Sequence, residues 1–83
     1  MRHWNFRVIK RETVDGATYG IYECYYDSNG RIYSISENSI APQGETIVDL
    51  QDEISRMARA FKSPVLNHTE LPENGAEAEE TDD

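Results

Sequence analysis

"TYGIYECYYDSNGRIYSISEN", residues 18–38, holds five of the chain's eight aromatic residues: Tyr19, Tyr22, Tyr25, Tyr26 and Tyr33. The runs on either side of "DSNG" (27–30) read as two strands joined by a turn. A strand sends successive side chains to opposite faces, so the first run divides into Tyr19, Ile21, Glu23 and Tyr25 on one face and Tyr22, Cys24 and Tyr26 on the other. If Asn29-Gly30 closes a two-residue turn, Tyr26 pairs with Tyr33 and Cys24 with Ile35, which places Tyr33 and Ile35 on the Tyr22 face. A three-residue loop over 28–30 slips the register and moves both to the Tyr25 face. In either register tyrosines stand on both faces of the sheet.

Upstream, "HWNFRVIKRET" (3–13) sets Trp4, Phe6 and Val8 on one side of an extended strand, with Asn5, Arg7, Ile9 and Arg11 on the other. "VDGA" (14–17) is a turn with a hairpin signal at Asp15-Gly16, and "RIYSISE" (31–37) is a third strand. "NSIAPQGE" (38–45) carries Pro42 and Gly44 and reads as loop. The period then changes. Leu50, Ile54, Met57 and Phe61 recur at steps of four, three and four, with Ile47 and Ala58 beside them, and predict a helix that turns this stripe to the core. Thr46 is the expected N-cap. Acids early (Asp49, Asp52, Glu53) and bases late (Arg56, Arg59, Lys62) suit the helix dipole, and Pro64 ends the helix near Lys62 or Ser63. The expected fold is α+β: a three-stranded antiparallel meander followed by one helix on one sheet face (βββα), spanning residues 1–66.

The net charge of -8 is unevenly distributed. Residues 67–83, "NHTELPENGAEAEETDD", carry seven acids and no Lys or Arg, whereas residues 1–66 hold nine acids against all eight bases. After Leu71 only alanine supplies apolar surface, so residues 67–83 are expected to form a disordered acidic tail. Such a tail either keeps the chain soluble or competes for a basic surface on a partner or on its own domain.

Eighty-three residues bury a marginal core, and small domains of this size gain stability from a staple, a metal or a second subunit. The single cysteine, Cys24, excludes an internal disulfide. His3 and His68 have no CxxC or HxxxH spacing around them, so neither a metal site nor a cofactor is expected. Oligomerisation is left as the source of extra stability. No apolar run approaches the roughly 18 residues of a membrane span and no signal peptide opens the chain, so no membrane partner is expected and the expected compartment is the cytoplasm.

No GxGxxG, P-loop or GxSxG occurs, and no catalytic residue is assigned. Cys24 sits mid-strand and reads as a buried, inert thiol. A helix of about 16 residues, roughly 24 Å long, covers one face of a three-stranded sheet. The other face is then left with at least two tyrosines, and Tyr19, Tyr22, Tyr25, Tyr26 and Tyr33 become the candidate contact residues for a second copy (a homodimer) or a protein partner. Aromatics flanked by Arg2, Arg7, Lys10 and Arg11 also resemble a single-strand stacking platform. The near-neutral folded part and the absent RNP1 pattern argue against nucleic acid.

"WNFRVIKR", "YGIYECYYDSNG" and "PQGETIVDLQDEISRMARAFKSPVL" together resemble a family of small, functionally uncharacterised bacterial proteins with the pattern W-N-[FY]-R-V, Y-G-[IL]-[YH]-E-x-Y-Y-D-x-x-G and G-E-T before a helix ending in P-V-L. The resemblance spans residues 4–66 and implies no activity. Gly44-Glu45-Thr46 and Leu50 are loosely similar to the helix start of HicB-like antitoxins, which implies a toxin or RNA-processing partner. The DNA-binding extension common in that group is missing.

Overall fold

Two turns and alternating apolar residues fold residues 3–35 into the frame of the molecule. The computed structural model describes residues 3–72. β1 (His3–Thr13) and β2 (Gly16–Tyr26) form one long antiparallel hairpin, with Trp4 opposite Tyr25 and Val8 opposite Ile21. At its tip, Thr13 Oγ1 donates to the Gly16 carbonyl at 2.8 Å and accepts the Asp15 N–H at 3.2 Å. Gly16 takes φ +123°, a conformation that side-chain-bearing residues avoid. At the other turn the Asp27 carboxylate accepts the N–H groups of Asn29 (2.9 Å) and Arg31 (3.0 Å), an Asx turn leading into β3 (Ile32–Ile35).

The β2–β3 register keeps the Cys24–Ile35 pair expected for a two-residue turn but departs from that alternative at Tyr26. Cys24 lies opposite Ile35 and Tyr25 opposite Ser34, but Tyr26 lies opposite Ile32. The shift between Tyr25 and Tyr26 is a bulge that absorbs Tyr33. Ile32 and Ile35 therefore both join Cys24 and Tyr26 in one apolar cluster.

The sheet has four strands, not three, and is not purely antiparallel. β4 (Leu66–Asn67) pairs parallel to Ile9–Lys10, giving the order β3-β2-β1-β4. Arg7 helps to seat the returning chain by donating to the Pro64 carbonyl at 2.9 Å. A 3-10 turn, His68–Glu70, follows, capped by Asn67, and Leu71 packs against the cluster around Ile9. Residues 67–72 thus belong to the fold, which corrects the expected boundary at 66. The disorder expected for the rest of the tail, residues 73–83, falls outside the described residues.

The curled mixed sheet has a core cluster on each side. Phe6 and Val8 meet Met57 and Ala60 on the helix side, with Ile21 and Ile40 beside them. On the other side Ile9, Tyr22, Cys24, Tyr26 and Ile35 are covered by Ile32, Leu66 and Leu71. The tyrosine-bearing face opposite the helix is therefore not open, contrary to the one-helix argument.

α1 (Ile47–Ala58) starts as expected: Thr46 Oγ1 accepts the Asp49 N–H at 3.0 Å. Gly44 passes so close to this first turn that a Cβ there would stand 2.6 Å from the Leu50 backbone nitrogen. From Arg59 to Lys62 the helix tightens to 3-10 geometry. The predicted core stripe is corrected: the helix faces the sheet through Met57 and Ala60, which turns Ile54 outward within α1, and the 3-10 turn does the same for Phe61. Met57 is buried and Leu50 half-buried, but Ile54 is 48 % exposed and Phe61 71 % exposed. Residues advance by about 120° in a 3-10 turn instead of about 100°. Ala60, three residues after Met57, therefore falls beneath the helix, and Phe61 swings to its flank. Among the described residues no helix is long and apolar enough to cross a membrane.

Candidate docking surface

Of the five tyrosines proposed as contact residues, Tyr22 and Tyr26 are buried. The Tyr26 hydroxyl accepts from Arg7 Nη1 at 3.1 Å, and its ring stacks on His3 with centroids 4.8 Å apart. These two rings are core and are corrected as such. Tyr33 is half-buried at the bulge. Tyr25 is half-buried on the helix side, 6.4 Å from the Trp4 ring, and its hydroxyl donates to the Glu23 carboxylate. Burial, then that hydrogen bond and the Glu23 charge, push the Tyr25 phenol up to about 12. Tyr19, 63 % exposed, offers most of its ring.

The more apolar opening is formed by the helix. Ile54, Met57, Ala58 and Phe61 make one wall of a groove of about 420 Å³, and Gly20, Ile21, Ser39, Ile40 and Pro42 make the other. The second wall exists because residues 36–40 run along β2: Ser36 N–H donates to the Glu23 carbonyl at 2.9 Å, and Ile40 N–H to the Ile21 carbonyl at 2.8 Å. Gly20 permits that approach, since a Cβ there would stand 3.0 Å from Ser39 Cβ. Along the same flank Ile47 is 70 % exposed. Sequence reasoning assigned Ile54 and Phe61 to the core and left Ile40 and Pro42 in a loop. One signal was available: Ile47, Ile54 and Phe61 recur every seven residues, a seam separate from Leu50 and Met57.

The opposite flank of the helix has a different character. Trp4, Asn5, Phe6, Arg56, Arg59 and Ser63 line a cleft of about 430 Å³. The Trp4 ring meets Phe6 edge-on at 5.1 Å, and Arg56 is held by Glu53 at 2.9 Å. Such a cleft pairs an aromatic face with guanidinium groups.

Reactive chemistry is sparse. Cys24 is fully buried, and burial pushes its thiol up to about 11 against the opposing influence of Arg7, so the thiol is protonated near neutral pH. Among the described residues no group of three His, Cys, Asp or Glu side chains is placed to hold a metal ion. Comparison with family models, curated proteins and solved structures finds no match to this chain.

Proposed function

We propose that the chain is a small non-enzymatic interaction module that self-associates or docks a protein partner, and that its contact surface is the apolar flank of the helix. The observation that carries this reading is the exposure of Ile47, Ile54 and Phe61 beside the groove walled by Ile40 and Pro42. Large apolar side chains gathered on one face of a small domain mark an interaction site. Tyr19 lies on the same sheet face as Ile21 and extends that surface along β2. The test combines unfolding and sedimentation of Phe61→Asp. An exposed contact residue tolerates the charge at a cost of about 1 kcal/mol in folding stability while association is lost. A penalty typical of a core position would reject the surface.

The cleft beside Trp4 favours a second reading, a nucleic-acid-binding or antitoxin-type regulator. An exposed ring beside Arg56 and Arg59 can stack a base while the guanidiniums meet phosphate. Against it stands the near balance of acids and bases in residues 1–66. Titration of labelled single-stranded DNA and RNA distinguishes the readings. Micromolar affinity that weakens steeply with salt and disappears in Arg59→Ala would replace the first reading by the second.

A further inference from the structure

The cleft on the Trp4 flank of the helix gathers binding groups that the fold itself leaves unused. Trp4 stands edge-on to buried Phe6 at 5.1 Å, which steadies its ring, yet it remains 48 % exposed. Arg56 and Arg59, three residues apart, reach the same side of the helix and line the cleft with Ser63. Among the described residues, neither the Arg59 guanidinium nor the Ser63 hydroxyl has a hydrogen-bond or ion-pair partner. Arg56 gives one N–H to Glu53 at 2.9 Å and has further donors left over.

The charges decide which ligand fits. Glu53 offsets Arg56, which leaves the charge of Arg59 uncompensated at the cleft. A guanidinium presents a planar fork that matches a carboxylate or a phosphate group. An exposed indole presents a face on which a flat ring stacks. Trp4 comes from β1 and Arg59 from the end of the helix, so the two groups belong to different walls of the cleft. A cationic ligand is repelled by Arg59, and a neutral ring leaves Arg59 without a counter-charge. One uncompensated guanidinium suits a single anionic group, whereas a nucleic-acid strand needs a run of cations along its backbone.

We propose that this cleft binds a small aromatic anion. A single flat ring stacks on Trp4 and carries one phosphate or carboxylate group to Arg59, with Ser63 and the remaining donors of Arg56 completing its hydrogen bonds. The volume agrees: about 430 Å³ lies in the lower part of the range for sites that hold one small molecule. The site is separate from the apolar flank formed by Ile54 and Phe61. It rests on the same cleft as the nucleic-acid reading and narrows that reading to one ring and one anionic group.

Nuclear magnetic resonance titration of the full chain tests the site, because Trp4 is the only tryptophan and its indole N–H gives a single signal. The probes are adenosine monophosphate, adenosine, inorganic phosphate and benzoate. The monophosphate is expected to shift the Trp4 indole and Arg59 side-chain signals saturably, with an affinity about tenfold above that of adenosine or phosphate alone. Benzoate is expected to shift the same signals, and the tighter of the two identifies the anionic group. Arg59→Ala, at an exposed position, should remove the advantage of the monophosphate and leave adenosine binding unchanged. Equal affinity for adenosine and its monophosphate overturns the proposal, as does an Arg59→Ala variant that binds the monophosphate as well as the wild type. No shift of Trp4 by the monophosphate or benzoate at millimolar concentration overturns it too. If a single-stranded oligonucleotide then shifts the same signals, the nucleic-acid reading stands without the small-ligand site; if it does not, both fall.

Discussion

Substituting Met57 and Phe61 separately by alanine should have very different consequences, although both belong to one helical stripe in the sequence. Met57 is only 5 % exposed and packs with Phe6, Val8 and Ala60, so Met57→Ala removes core atoms and leaves a cavity. A loss of about 2–3 kcal/mol is expected, at the lower end of the usual range because the adjoining groove gives the site room to relax. At 71 % exposure, roughly 60 Å² of Phe61 is covered, part of which alanine retains. At about 25 cal/mol per Å² the cost of Phe61→Ala is then at most about 1 kcal/mol. Urea unfolding followed through Trp4, which stands against Phe6 on the helix side, reads both changes at low protein concentration. At higher concentration the wild type should gain stability by mass action and Phe61→Ala should not. Equal losses for the two variants at low concentration would refute the assignment of Phe61 to the surface.

Two further outcomes follow from other parts of the fold. Ending the chain after Leu66 instead of after Pro72 should cost stability, and Leu71→Ala about 1–2 kcal/mol of it, because Leu71 packs against the Ile9 cluster; unfolding curves that superimpose for the two truncations would return the domain boundary to residue 66. Folding holds Cys24 and Tyr25 in their neutral forms by raising them from 9.0 to about 11 and from 10.0 to about 12. Their stabilising contribution is therefore complete below about pH 9 and lost as pH rises through 9–11 for Cys24 and 10–12 for Tyr25. Cys24 alone sets a slope of up to about 1.4 kcal/mol per pH unit. Cys24→Ala should flatten the alkaline limb of stability against pH, and an unchanged limb would contradict the assignment.

Elements with a local cause were legible in the sequence. The Asp15-Gly16 turn, the alternation of Phe6 and Val8 and the Thr46 cap each act within a few residues, and each is found in the structure. Features that depend on distant partners were not. β4 is two residues long and exists through pairing of Leu66 and Asn67 with Ile9 and Lys10, for which "PVLN" carries no periodic signal. The bulge at Tyr26 and Ile32 satisfies neither simple turn length, since the Asp27 loop sets its own exit. Phe61 fits an α-helical core position as long as the helix remains α, and the 3-10 turn at Arg59 removes it. The burial of Tyr22 and Tyr26 has a related cause: they gain their cover from Leu66, Leu71 and β3, which residue patterns within β2 do not show.

The central claim is that the apolar flank of α1 is the contact surface through which the chain self-associates or docks a protein partner. Methyl-labelled isoleucine provides probes on and away from that face. Ile47 and Ile54 lie on it, Ile21 and Ile40 line the groove, and Ile9 and Ile35 are buried on the far side of the sheet. Methyl spectra recorded over a series of protein concentrations should show shifts that begin at Ile47 and Ile54, extend to Ile40 and leave Ile9 and Ile35 in place. Phe61→Asp should abolish them. Spectra that do not change with concentration would contradict self-association, and changes centred on Ile9 and Ile35 would contradict the placement of the contact surface.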